Sequence, residues 1–421
     1  MHVLVLGAGV TGVTTAWYLA KAGFQVSVVD RQPGAALETS HANGGQISIS
    51  HPEPWANPGA PRTALRWLGR EDAPLLFRPH ADPAQWRWAL AFLRECLPQR
   101  TRRNTAAVAS LAVHSGERLR ALRAETGITY DQLERGILHL FFTPAEFDHA
   151  RTKLPMLEAH GIRARACGSD ECVAIEPALA GVRDELAGGL YAPDDESGDA
   201  CRFTQALAEL AAQAGVHFHY NTTITNISRT RGIVDSIGVR DAAGRSGALT
   251  AGAYVMCLGS YGSALVAPLG ERLPIYPVKG YSVTVPVLDR ALAPSVSLTD
   301  ESRRIVCSRL GERLRIAGTA ELNGFNTAIH PARCQAILDW LNARFPGATD
   351  IAQAQLWTGL RPATPGNVPL IGRSGLPNLW YNTGHGTLGW TLACGSASSL
   401  ADLMSGHRPP VRGFPFLHCD D

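Results

Sequence analysis

Long apolar runs are missing from this chain. The nearest approach, Ala251 to Leu269, is interrupted by Ser260, Gly262 and Ser263. It falls short of the roughly 18 uninterrupted apolar residues that a spanning helix needs. An excess of charge of one sign is missing too. The 39 Lys and Arg against 37 Asp and Glu leave a net charge of +2, which gives no argument for nucleic acid as a partner. The nine cysteines show neither disulfide nor zinc spacing. Cys167 and Cys172 are the nearest pair, with no second pair to match, so reduced thiols are expected. His217 and His219 share one side of a predicted strand without a third ligand in view, and Asp194 to Asp199 lacks calcium-loop spacing. No metal is expected. Nor is there a Ser/His/Asp arrangement or a pair of catalytic carboxylates. No signal-peptide pattern precedes the first strand, so a cytoplasmic location is expected, with peripheral contact to the inner membrane left open.

What is present is glycine in two places. His2 to Leu6 is a short apolar run, the pattern of a buried parallel strand. Gly7, Gly9 and Gly12 then fit G-x-G-x-x-G, with Val10 and Thr11 opening a helix over 11–22 that stops at Gly23. A second strand over 24–29 ends at Asp30, followed by Arg31, at the distance where a carboxylate meets ribose hydroxyls. The helix N-terminus supplies free N–H groups for a pyrophosphate. Next comes a small polar loop, Thr39 to Ser48, with Ser40, Asn43, Gly44, Gly45, Gln46 and Ile47, either an ordinary surface turn or, as its place after Asp30 favours, a loop that brings backbone close to a ligand. The second glycine-bearing region is Gly359-Leu360-Arg361-Pro362, then Gly384-His385-Gly386-Thr387-Leu388-Gly389. Cofactor-facing loops at both ends of the chain suggest one long dinucleotide, a flavin more than a nicotinamide.

With 421 residues, 45% apolar and 18% charged, the chain reads as globular with two domains. The stretch 51–83 reads as irregular, 84–126 as mainly helical, and 136–143 as a strand. Helices over 151–160 and 203–214 follow, then a strand over 216–220, a hairpin over 224–239 and an apolar strand from Ala253 that ends at Gly259. Residues 276–345 alternate strands and turns and end in a helix. The expected fold is α/β: a Rossmann-like cofactor domain from 1–85, 170–275 and 350–421, and an α+β substrate domain on an antiparallel sheet from 86–169 and 276–349.

Several segments carry a family resemblance. They include Ala16-Trp17-Tyr18-Leu19, Pro33 to Ser40, Gly45-Gln46-Ile47-Ser48, Tyr276-Pro277-Val278-Lys279-Gly280-Tyr281-Ser282 and Gly324-Phe325-Asn326-Thr327. The two most specific to this group are Trp357 to Pro362 and Asn382 to Thr391. From end to end the chain resembles the D-amino acid dehydrogenases of small-subunit type, within the wider glycine oxidase and D-amino acid oxidase family. His41 and Gly44 stand where alanines are expected, and Pro365-Gly366-Asn367 replaces Pro-Asp-Gly, departures that bear on substrate preference.

The resemblance implies non-covalent FAD and oxidation of a D-amino acid at its α-carbon, with hydride transfer to the flavin. A 2-oxo acid and ammonia follow, and electrons pass to a quinone or another electron-transfer partner. Alternatives are a D-proline or D-hydroxyproline dehydrogenase and an oxygen-using oxidase. Arg361 matches the family's carboxylate anchor, a task that suits the bidentate guanidinium. Tyr276 and Tyr281 either line the pocket or are core aromatics. Lys279 either sits near the flavin or is a rim charge. His385 lies between glycines where backbone N–H groups face the flavin's pyrimidine carbonyl. Exposed Trp and Arg side chains in 55–103 are candidates for membrane contact.

Overall fold

The computed structural model describes residues 1–67, 69 and 73–418. Two sheets organise it. The first has six strands in the order Leu370–Arg373, Leu379–Thr383, Ala253–Met256, His2–Leu6, Gln25–Val29 and His217–His219. All neighbours are parallel except the edge hairpin at 370–383. The central strand is buried on both faces, which is why it reads as an unbroken apolar run. Its alternation divides the two sides. Val3 and Val5 join the core under helices Val10–Lys21 and Ala200–Gln213. Leu4 and Leu6 face a small antiparallel sheet of Thr223–Thr230, Ile233–Arg240 and Ser246–Leu249. Helix Gly389–Met404 packs on the first helix and on the long helix Pro98–Thr126. Asp199 caps Ala200–Gln213 by accepting from the N–H groups of Cys201 and Arg202.

The second sheet has nine strands. Its path runs Gln355–Ala363, Tyr276–Pro286, Arg313–Leu322, Ile305–Leu310, Ser297–Asp300, Ile137–Phe141, Gly188–Ala192 and Arg165–Cys167, with Leu75–Phe77 also beside Arg313–Leu322. The sheet is mixed, because Ser297–Asp300 runs parallel to Ile137–Phe141 and Leu75–Phe77 runs parallel to Arg313–Leu322. Helix Pro331–Arg344 backs it.

Three features differ from the sequence reading. Strand Gln355–Ala363 pairs along Tyr276–Pro286, so the stretch beginning at 350 starts in the second sheet. Helix Pro98–Thr126 contributes to the core of the first sheet, because its small residues Ala107, Ala109 and Ala112 allow close packing there. The stretch 51–83 is not wholly irregular. It holds helix Ala60–Trp67 and strand Leu75–Phe77, neither with a core-facing apolar period long enough to read.

Candidate active site

A cavity of about 750 Å³ runs between the two sheets. At one end is the first glycine turn. Gly7 has φ +105°, and a Cβ there would lie 2.8 Å from the carbonyl oxygen of Cys257. A Cβ on Gly12 would lie 1.9 Å from the carbonyl oxygen of Gly7. Both positions therefore require glycine, the first for its turn and the second for strand–helix contact. Gly9, Val10 and Thr11 line the cavity at the start of helix Val10–Lys21, whose first turn has no acidic residue and whose N-cap residue, Gly9, has no side chain to cap it. Its dipole is left free for an anion. The Asp30 carboxylate accepts from Ala8 N–H at 2.7 Å and from Gln32 N–H at 2.8 Å. Burial pushes its pKa up, partly offset by those bonds. Each oxygen keeps a lone pair for a further donor. The Arg31 guanidinium lies 4.2 Å over the Tyr261 ring and pairs with Glu38 at 2.6 Å.

The loop after Asp30 reaches across to the second sheet. Ser40 Oγ accepts from Val10 N–H at 3.0 Å, and Asn43 Oδ1 accepts from Gly45 N–H at 3.0 Å. Gln46 Nε2 donates to Ser297 Oγ and Thr299 Oγ1, each at 3.0 Å. A Cβ on Gly44 would lie 2.6 Å from the Val306 side chain, so the loop backbone lies close against the sheet. Ile47 is buried in the core. Across the cavity, Gly259 has φ +54°, and Gly384 and Gly386 turn the chain at φ +81° and +55°. Thr387 and Leu388 lead into helix Gly389–Met404, again without an acidic residue or a side-chain cap at its start. His385 is 2% exposed and bonds Ser396 Oγ through Nε2 at 2.9 Å. Burial pulls its pKa down from 6.5 to about 3, so the ring is neutral near pH 7.

Arg361 lies on strand Gln355–Ala363 and faces the cavity. Its Nη1 donates to the Thr319 carbonyl at 3.1 Å. No carboxylate among the described residues pairs with it, and burial alone lowers its pKa to about 10, still cationic near neutrality. A half-buried guanidinium facing a cavity without an anion is costly unless a ligand supplies one. Two glycines make room. A Cβ on Gly280 would lie 2.3 Å from the Arg361 Cζ, and one on Gly359 would lie 2.1 Å from the Trp357 ring.

The neighbouring motif divides. Tyr281 lines the cavity, and its hydroxyl donates to Glu321 Oε2 at 2.6 Å. Lys279 is not among the lining residues. It is 2% exposed, lies 3.2 Å from Glu321 Oε2 and donates to the Ala328 carbonyl. It is therefore not an exposed rim charge, and its ammonium is held on the buried side of the strand by Glu321. Tyr276 is likewise absent from the lining. It is a core aromatic against Trp88, with its pKa raised to about 12 chiefly by burial. Gly12, Ile47 and Gly384 support the turns without lining the cavity, whereas the remaining candidates line it.

Thr319 was not legible beforehand. It sits at a β-bulge, where Lys279 pairs with Glu321 but Tyr281 pairs with Gly318. Its φ is +57°, unusual for a β-branched residue, and the conformation turns its carbonyl to Arg361. His51, His139 and Glu301 were also missed, and they form a polar patch on the cavity wall. No local pattern announces either feature.

The helix start without an acidic residue, the Asp30 carboxylate on the cavity wall and the glycine turns fit FAD. The model of the DAO family, FAD dependent oxidoreductase, matches residues 2–403. A D-amino acid dehydrogenase of Dechloromonas aromatica is 56% identical over 419 residues, covering 100% of both chains. One of Paramagnetospirillum magneticum is 53% identical over 421 residues, covering 100% of this chain and 98% of its own. A crystal structure of glycine oxidase from Geobacillus kaustophilus superposes with a TM-score of 0.73 at 22% identity, covering 100% of this chain and 99% of that one. The chain belongs to the DAO family of FAD-dependent oxidoreductases.

Proposed function

We propose that this chain oxidises D-amino acids to 2-oxo acids and ammonia and passes the electrons to a quinone or another respiratory acceptor. One observation carries the reading: Arg361, a half-buried cation with no acidic partner among the described residues, faces the same cavity as the dinucleotide cradle. A substrate carboxylate supplies the missing anion, held by the guanidinium fork. The Thr319 carbonyl and the space above Gly280 fix the fork's direction. Bound FAD would supply the hydride acceptor for the α-hydrogen, and the substrate, having also lost an amine proton, would leave as an imino acid that water hydrolyses. Residues 43–46, 259 and 384–389 are assigned to the cofactor, Gly9–Thr11 to its pyrophosphate and Asp30 to its ribose.

The acceptor reading rests on an exposed apolar stripe. Helix Pro83–Glu95 leaves Trp86, Leu90 and Leu93 exposed, with Leu97 just past its end. Spacings of four and three residues place Trp86, Leu90 and Leu93 on one helix face. Arg87, Arg94, Arg102 and Arg103 are exposed nearby, and helix Ala60–Trp67 adds exposed Leu65 with Arg62 and Arg66. Apolar rings and aliphatic chains beside cations suit an anionic membrane surface. Phe92 and Trp67, on these same helices, line the cavity, so the stripe adjoins its mouth.

The substrate assignment is tested with Arg361→Lys and Arg361→Ala. Lysine keeps charge but not the fork, so kcat/KM falls substantially while the flavin spectrum is retained. Wild-type kinetics in Arg361→Ala would remove Arg361 from the site.

A further inference from the structure

The cavity wall also carries side chains that the proposed reaction does not use. His139 lies on strand Ile137–Phe141, and Glu301 directly follows strand Ser297–Asp300, which pairs with it. His51 reaches the same place from the loop after the cofactor segment. In the sheet order, four strands separate this position from the edge strand bearing Arg361. At about 4.8 Å per strand, the two sites are on the order of 20 Å apart.

The three side chains converge on one point. His139 Nδ1 lies 2.9 Å from Glu301 Oε1, and His51 Nδ1 lies 3.6 Å from the same oxygen. One ligand atom from each residue falls within 4.8 Å of the others. The two rings stack with centroids 5.5 Å apart and planes 19° from parallel. In a tetrahedral zinc site with bonds of about 2.1 Å, neighbouring donor atoms are about 3.4 Å apart. The 2.9 and 3.6 Å separations bracket that spacing and the third is within 4.8 Å, so movements of about 1 Å would seat an ion.

The surroundings resemble the outer support of such sites. His139 Nε2 lies 3.4 Å from Ser50 Oγ, which donates to Asp195 Oδ2 at 2.5 Å. Ser50 N–H also donates to Asp195 Oδ1 at 3.1 Å. The second oxygen of Glu301 accepts from Arg304 at 2.8 Å, leaving the first for the histidines. A histidine oriented through its far nitrogen and a carboxylate held through its far oxygen are arrangements that fix metal ligands. All three residues line the cavity, so a fourth coordination position opens into it.

We propose that His51, His139 and Glu301 form a site for a divalent transition-metal ion of zinc type, with its open position facing the cavity. Two imidazoles and one carboxylate suit zinc better than magnesium or calcium. Arg304 weakens the site by competing for Glu301. This proposal is independent of the substrate assignment, because its test reads binding and not turnover.

Holoenzyme is stripped with a chelator, dialysed and titrated with Zn²⁺ by calorimetry near neutral pH, with Co²⁺ difference spectra as a second readout. One equivalent is expected to bind, and the Co²⁺ bands should indicate tetrahedral geometry. His51→Gln, His139→Gln and Glu301→Gln should each weaken binding at least tenfold while the flavin spectrum stays intact. Ser50→Ala should weaken it about tenfold. Arg304→Gln should tighten it, and His217→Ala, on an exposed strand, should leave it unchanged. Absence of stoichiometric binding to the wild type would overturn the site, leaving a hydrogen-bonded ion pair only. Equal binding in wild type and the three ligand variants would overturn it as well.

Discussion

Gly280→Ala is the sharpest perturbation of the carboxylate anchor, because it leaves every charged group in place. Gly280 pairs with Gly359 across two long strands and does not adopt a left-handed φ, so alanine fits the backbone. Its Cβ would lie 2.3 Å from Cζ and Nη1 of Arg361 and 2.4 Å from Nη2. Ordinary contact needs about 3.5 Å, so the guanidinium must move by about 1 Å. That shift strains its 3.1 Å bond to the Thr319 carbonyl and misaligns the fork. Losing one charged hydrogen bond to substrate costs about 1.5–3 kcal/mol, or roughly 10- to 150-fold in kcat/KM. The assay is anaerobic rapid mixing of holoenzyme with a D-amino acid, following loss of flavin absorbance. Cofactor content and melting temperature should match the wild type. A kcat/KM within about twofold of wild type would refute the reasoning that this close approach aims Arg361.

Asp30→Ala removes the cradle's carboxylate, costing about 1–3 kcal/mol of FAD affinity, and full occupancy at unchanged affinity would end that assignment. His385 has a pKa of about 3 when folded against an ordinary 6.5. The unfolded chain therefore binds the extra proton first, and stability is lost as pH falls below about 6.5. Between pH 7 and pH 5 this group contributes about 2 kcal/mol of loss, so His385→Gln should flatten the melting-temperature slope there; an unchanged slope would contradict the burial argument. Trp86→Asp combined with Leu90→Asp should abolish sedimentation with anionic vesicles without altering reduction by substrate; equal sedimentation of variant and wild type would exclude that helix face. Reduced enzyme should be reoxidised faster by a soluble quinone analogue than by air-saturated buffer, and equal rates with stoichiometric peroxide would favour an oxidase.

The parts of the fold legible in the sequence were those that local rules encode. The glycine turn, its helix and Asp30 lie within one continuous unit, so their spacing alone carries the meaning. The same holds for Gly384 and Gly386, where positive φ demands glycine. The assignment of Lys279 depended on which strand face turns inward, and Glu321, its partner, comes from a strand many residues later. Thr319 could not be found from residue type, since its bulge exists only once Tyr276–Pro286 and Arg313–Leu322 have paired. His51, His139 and Glu301 come from three distant segments, and only the register of Ser297–Asp300 against Ile137–Phe141 brings them together. Arg361 was identified through the family resemblance. Its lack of an acidic partner among the described residues became visible only in three dimensions.

The central claim is oxidation of a D-amino acid by the bound flavin. The direct measurement adds each enantiomer of a panel of amino acids to oxygen-free holoenzyme and records the flavin spectrum alongside ammonia and 2-oxo acid. The account predicts bleaching by D-amino acids, with one ammonia and one 2-oxo acid per flavin reduced, and no bleaching by the L-enantiomers. A flavin that stays oxidised with every D-amino acid, or that bleaches equally with L-enantiomers, would contradict it.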